Sequence, residues 1–136
     1  MAAVLTLSLS LTTLTVAQTR IVAPKNKYTV AEDVKVGREA AAQAKKELPM
    51  LNDGRVDDYV ERIGQRLAQA VPPEFQHPEF MYTFDVVNQK DINAFALPGG
   101  PMFLNRGMIE AAKTEGEVAG VLAHEMSHVA LRHGTA

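Results

Sequence analysis

The hydrophobic pattern of the sequence is helical from Thr29 to about Pro78, strand-like from there to Leu104, and helical again afterwards. Two helices are predicted in the first part. One covers Glu32–Leu48 behind a Thr29–Glu32 capping box, and the other covers Val56–Val71, where apolar residues recur at intervals of three and four. Because helices precede and follow the strand-like part, we expect an α+β fold in which helices pack on a small antiparallel or mixed sheet.

The strand-like part divides into a predicted strand and a predicted hairpin. Aromatic and β-branched residues favour a strand at Met81–Val87. Asn93–Leu97 and Met102–Leu104 are joined by the Pro98–Pro101 segment, whose two prolines and two glycines suit a tight reversal. We therefore expect two adjacent strands connected by this turn.

Two further helices are predicted after the hairpin. Asn105 is a candidate N-cap for a short helix over Arg106–Lys113. A second capping box, Thr114–Glu117, predicts a helix that extends to about Arg132.

The composition excludes several classes of function. The 136 residues are 46% hydrophobic and 22% charged, which indicates one small globular domain or a piece of a larger one. The absence of cysteine excludes disulfides, cysteine-ligated zinc, thiol catalysis and a lipid-bearing cysteine. A net charge of −2, 6% aromatic residues and no tryptophan argue against nucleic acid as a partner.

The N-terminal segment, residues 1–19, contains no charged residue. Its apolar stretch Leu5–Val16 favours a signal peptide or signal anchor, followed by a linker over residues 20–28. Leucines that alternate with Ser and Thr leave a β-strand as the alternative. The remaining residues, 29–136, form the predicted globular domain.

The motif His124-Glu125-Met126-Ser127-His128 carries the predicted chemistry. Residues four apart on an α-helix differ by about 40° in angle and about 6 Å along the axis, so both imidazoles can bind one zinc ion. Zinc lowers the pKa of a bound water to roughly 7, and Glu125 is placed to take the proton of that water and to deliver it to the leaving amine of a peptide. A core helix with merely hydrogen-bonded histidines is the alternative.

Neither of the other two histidines is predicted to bind this metal. His133 follows His124 by nine residues, about 180° around an ideal helix, and His77 is expected in an exposed loop. Metzincins would need a histidine where this sequence has Gly134. The expectation is therefore a glutamate from a later helix, beyond Ala136, which would make this chain the N-terminal part of a longer protein.

Residues 93–133 resemble the HtpX and CAAX-prenyl-protease family of zinc metallopeptidases, and the weaker similarity extends back to about residue 30. Asn93-Ala-Phe-Ala-Leu-Pro-Gly-Gly and Glu115-Gly-Glu-Val-Ala-Gly-Val-Leu-Ala-His-Glu-Met-Ser-His carry the resemblance. It implies a zincin-like fold with the motif on its last helix, one zinc ion bound by His124 and His128, and a catalytic Glu125. It also implies that Asn93, Ala94, Phe95 and Ala96 form a substrate-binding sheet edge, for which an ordinary core hairpin is the alternative.

The resemblance to the exported branch of this family implies a metalloendopeptidase of the bacterial periplasm or envelope that cleaves proteins or peptides, with possible membrane association. Because a third ligand is missing from the sequence, we expect little activity from this chain alone. A degenerate protease fold that binds envelope proteins without cleaving them is one alternative, and a metal-free structural domain is another.

Overall fold

A computed structural model describes residues 19–136, which form four α-helices, three strands and two single 3₁₀ turns. The predicted signal segment, residues 1–19, lies outside the described residues apart from Thr19. In chain order the elements are α1 (Val30–Glu47), α2 (Gly54–Ala70), a 3₁₀ turn (Pro73–Phe75), β1 (Thr83–Val87), β2 (Ala94–Ala96), β3 (Pro101–Asn105), α3 (Arg106–Ala111), α4 (Glu115–Ala130) and a second 3₁₀ turn (His133–Thr135).

The three strands form a mixed sheet in the order β1-β3-β2. The central strand β3 runs parallel to β1 and antiparallel to β2. The predicted hairpin is confirmed, and its turn depends on Gly99 and Gly100, whose φ angles of 81° and 123° favour glycine. Helices and a small sheet in this arrangement confirm the α+β class.

Each face of the sheet carries its own apolar core. On one face α2 and α4 pack together over β1, β2 and β3 around residues such as Ile63, Phe84 and Leu122. On the other face α1 contributes Ala41 to a smaller cluster with Phe103. The sheet is therefore enclosed between α1 and the α2–α4 pair, as the burial of large side chains from both faces requires.

The first capping box forms as predicted, since the Thr29 hydroxyl accepts from the Glu32 N–H and the Glu32 carboxylate accepts from the Thr29 N–H. This backbone hydrogen bond from Thr29 lowers the pKa of Glu32. At α4 only half of the box forms, because the Glu117 carboxylate accepts from the N–H of Lys113 instead. Asn105 holds the N-cap position of α3 without a side-chain hydrogen bond.

Residues 19–29 contain no helix or strand. Among the described residues, no helix combines the length and the hydropathy that a membrane span needs.

Candidate functional site

The two motif histidines converge on one point. Nε2 of His124 lies 3.2 Å from Nε2 of His128, and the ring planes meet at 81°. Two nitrogens bound to one tetrahedral zinc at about 2.0–2.1 Å are themselves roughly 3.3 Å apart. The donor pair therefore fits a zinc ion without rearrangement of the helix.

The sequence of α4 explains why the histidines face outward. Its buried residues are Val118, Leu122, Met126, Val129 and Ala130, and the first three belong to the core that α4 shares with the sheet and α2. His124 and His128 are exposed, and Glu125 is half-buried. Apolar periodicity thus anchors the helix and leaves the two imidazole rings accessible to solvent.

Glu125 borders two cavities, one on each side of it along β2. The larger, about 540 Å³, is shared with His124, Asn93 and Ala94. The smaller, about 280 Å³, is shared with His128, Phe95 and Ala96. The carboxylate therefore lies at the middle of an open cleft between α4 and the second strand.

The outer edge of β2 has no partner strand among residues 19–136, since β2 pairs with β3 alone. Asn93 C=O and Leu97 N–H bond to β3, and in an antiparallel ladder the residues between alternate. The main-chain groups of Ala94 and Ala96 therefore point away from β3. Phe95 pairs with β3 and its ring stacks on Phe103, with centroids 5.0 Å apart.

The ideal-helix estimate places His133 on the side opposite the site. This prediction of its position is wrong, because α4 ends at Ala130. Arg132 adopts a left-handed conformation, with φ 57° and ψ 36°, and this reverses the chain. Nδ1 of His133 then lies 2.7 Å from Nδ1 of His128. The only glycine nearby is Gly134, so the sequence gives no signal that an arginine takes the left-handed position.

His77 is also placed differently from the prediction, because it is half-buried rather than exposed. Its Nε2 lies 3.1 Å from the carbonyl oxygen of Ala130, and its ring packs on Phe80 with centroids 4.6 Å apart. Since Ala130 is the last residue of α4, His77 supports the end of the motif helix.

A third metal ligand is not found within residues 19–136, where no three His, Cys, Asp or Glu side chains come close enough to share an ion. His133 contacts Nδ1 of His128, whereas Nε2 of His128 faces His124, so His133 does not join the pair of Nε2 atoms. His77 bonds to the end of the helix and not to the site.

Comparison with known proteins gives relatives that are named as a protease or a metalloendopeptidase. Over 107 residues, 76% of this chain, it is 31% identical to the beta-barrel assembly-enhancing protease of Escherichia coli and 33% identical to that of Yersinia pestis. The mitochondrial metalloendopeptidase OMA1 of Schizosaccharomyces pombe is 38% identical over 75 residues, 55% of the chain. The matched parts cover 20%, 21% and 21% of these relatives, so the chain spans about a fifth of their length.

None of these relatives is named for HtpX or a CAAX-prenyl protease, so that narrower assignment stays a prediction. The model of peptidase family M48 matches residues 55–136, a stretch that contains all of α2 but its first residue, the sheet and the complete His-Glu-x-x-His helix. Because this match covers more than half of the chain, the chain belongs to peptidase family M48.

Proposed function

We propose that this chain carries the catalytic helix of a zinc-dependent metalloendopeptidase. The observation that supports this best is the 3.2 Å separation of the two Nε2 atoms, with Glu125 beside them in an open cleft. Membership of a peptidase family supports protein or peptide substrates. Names that describe a protease and a metalloendopeptidase support the same class of reaction.

His124 and His128 would hold the zinc through Nε2. When bound, zinc acidifies its water ligand and polarises the substrate carbonyl. Glu125 has the geometry of a general base, because a carboxylate one residue after His124 is displaced around the helix from the ligand position. It takes a proton from the attacking water and returns it to the amine of the departing peptide.

The edge of β2 is the proposed binding surface for the substrate backbone. The outward main-chain groups of Ala94 and Ala96 offer donors and acceptors to an extended peptide that adds as a further strand. Such a strand would pass Glu125 with one cavity on each side of it. Asn93 borders the larger cavity, and Phe95 supports the strand from the core.

We also propose that the complete enzyme acts in the bacterial envelope. The uncharged residues 1–19 suit an export signal, and the names of the bacterial relatives refer to beta-barrel assembly. The third zinc ligand is proposed to come from outside residues 19–136. With two protein ligands, this chain should bind zinc more weakly than a three-ligand site and cleave proteins slowly.

The test is zinc competition with the full 136-residue chain, paired with cleavage of an unfolded protein. We expect one bound zinc ion, a loss of affinity of at least ten-fold in His124→Ala and His128→Ala, and retained zinc binding in Glu125→Gln. Any cleavage that a chelator inhibits should disappear in Glu125→Gln. Absence of zinc binding by the wild-type chain, or cleavage that persists in Glu125→Gln, would contradict the proposal.

A further inference from the structure

We propose that Asp33 and Arg132 are positioning residues for His128, acting through His133. This inference rests on the proposed function, because it concerns how a zinc ligand is oriented. The two residues are 99 positions apart in sequence, and neither lies in the His-Glu-x-x-His motif. They join α1 to the turn that follows the motif helix.

The first observation is a buried ion pair. Asp33 lies in the first turn of α1 and is 1% exposed, while the Arg132 side chain is 17% exposed. Nε of Arg132 donates to Oδ2 of Asp33 over 2.5 Å, and the other arm of the guanidinium donates to the carbonyl of Tyr28. Charge-assisted bonds of this kind hold a side chain in one geometry.

The second observation is the backbone that this pair restrains. A left-handed conformation is unfavourable for arginine, so surrounding contacts must offset its cost. Besides the ion pair, the side-chain amide of Asn26 donates to the carbonyl of Arg132 and to the hydroxyl of Thr135, at 3.0 and 2.8 Å. The segment before α1 and α1 itself therefore hold the reversal that ends α4.

The third observation is the position of His133 after the reversal. His133 is the next residue, and its Nδ1 lies 2.7 Å from Nδ1 of His128. A hydrogen bond between these atoms needs a proton on one and a lone pair on the other. With the proton on Nδ1 of His128, that ring donates to His133 and presents a lone pair at Nε2, the atom that faces His124. Partners of this kind fix the tautomer and ring orientation of a metal-binding histidine.

One feature of the pair separates positioning from simple anchoring. The second oxygen of Asp33, Oδ1, is buried and makes no hydrogen bond within residues 19–136. An apolar contact would anchor α1 without burying a carboxylate that is 1% exposed, and the desolvation of that carboxylate is a cost that folding alone does not require. A directional pair is needed where the angle of the Arg132 turn has to be fixed.

The experiment compares Asp33→Asn, Arg132→Gly and His133→Ala with the wild-type 136-residue chain. Arg132→Gly is informative because glycine accepts the left-handed conformation while the guanidinium is lost. Lys45→Gln is the matched control, since it removes a different ion pair of the same helix, Lys45–Asp85 at 2.9 Å. Thermal unfolding first establishes that each protein is folded at the measuring temperature.

Two readouts at one fixed pH go beyond stability: the tautomer of His128 from long-range ¹H–¹⁵N NMR without metal, and the zinc dissociation constant. We expect Asp33→Asn, Arg132→Gly and His133→Ala to lose the Nδ1–H tautomer preference and to weaken zinc binding by about ten-fold each. The Asp33→Asn and His133→Ala double variant should lose no more than either single variant, because both act by one route. Lys45→Gln should change neither readout.

An unchanged His128 tautomer in folded Arg132→Gly would overturn the proposal, and so would additive losses of zinc affinity in the double variant. If Asp33→Asn unfolds, Arg132→Gly decides the matter. If the wild-type chain binds no zinc, the proposed function fails, while the metal-free NMR comparison still tests the positioning. The two failures are therefore distinguishable.

Discussion

Asp57, in the first turn of α2, is a residue whose charge opposes folding. Burial is the main cause that raises its pKa above the ordinary value of 3.8, and the carboxylates of Asp53, Asp85 and Asp58 add to it. A carboxyl whose pKa is raised in the folded state binds more protons there than in the unfolded chain. Stability is therefore lost as the pH rises from 3.8 through the folded pKa.

We predict that Asp57→Asn raises the free energy of unfolding at pH 7 and leaves it nearly unchanged at pH 3. The comparison is urea unfolding at both values of pH. Asp58→Asn is the control, because Asp58 is its exposed neighbour and should give a smaller gain. Equal stability of Asp57→Asn and the wild type at pH 7 would show that the helix N-terminus compensates this charge fully.

Individual residues also differ in how far the sequence predicts them. The convergence of His124 and His128 could be read from local spacing, because one helical turn fixes the relation between the two side chains. His133 could not, since its position depends on a left-handed arginine that no local rule favours. His77 meets α4 only through the tertiary fold.

At the scale of elements, α1 touches the β2–β3 turn without space for a side chain at Gly37. A Cβ there would lie 1.6 Å from the carbonyl oxygen of Pro98. Because the obstacle is backbone, we predict that Gly37→Ala lowers the free energy of unfolding by about 1–3 kcal/mol. Gly120→Ala in α4 is the opposite case, since nothing lies within 4 Å, and it should stabilise by up to about 1 kcal/mol. Urea unfolding measures both, and a neutral Gly37→Ala would contradict the close packing.

The β2 edge allows the proposed substrate strand to be tested separately from the fold. We predict that Ala96→Pro weakens binding of an extended peptide, because it removes an N–H that points outward, while the ladder to β3 remains. Phe95→Pro is the counterpart that removes an N–H used by that ladder and should destabilise the protein. Peptide affinity by fluorescence anisotropy, with thermal unfolding alongside, makes the comparison. Unchanged affinity in folded Ala96→Pro would contradict strand addition.

The sequence predicts which segments are helices and which are strands more accurately than it predicts their first and last residues. The capping boxes place the N-caps of α1 and α4 correctly at Thr29 and Thr114, because a cap is a local interaction, although α1 begins at Val30, two residues before the predicted Glu32. The predicted end of α4 at about Arg132 is two residues late, since the ion pair with Asp33 favours a reversal there. The parallel pairing of β1 with β3 also lies beyond local rules, as it joins segments across the hairpin.

At the scale of the whole molecule, the site depends on contacts between parts that are distant in sequence. The motif helix is held by α2 and the sheet on its apolar side, and by Asp33 and His77 at its end. The sequence predicts which helix carries the His-Glu-x-x-His motif, whereas the restraints at the end of that helix come from residues 53 to 99 positions earlier. A local sequence pattern cannot specify contacts between residues so far apart, because many folds are compatible with the same local pattern.

A metal ion that binds only the folded chain should therefore stabilise the molecule as a whole. Binding to the native state alone adds RT ln(1 + [L]/Kd), about 2.7 kcal/mol at one hundred times Kd. We predict that zinc raises the midpoint of thermal unfolding by several degrees, that a chelator reverses the shift, and that His124→Ala or His128→Ala removes it. His77→Gln, which keeps a donor for the Ala130 carbonyl, should retain the shift and shows that other histidines do not cause it. An equal zinc-induced shift in His124→Ala would mean that zinc binds elsewhere on the chain.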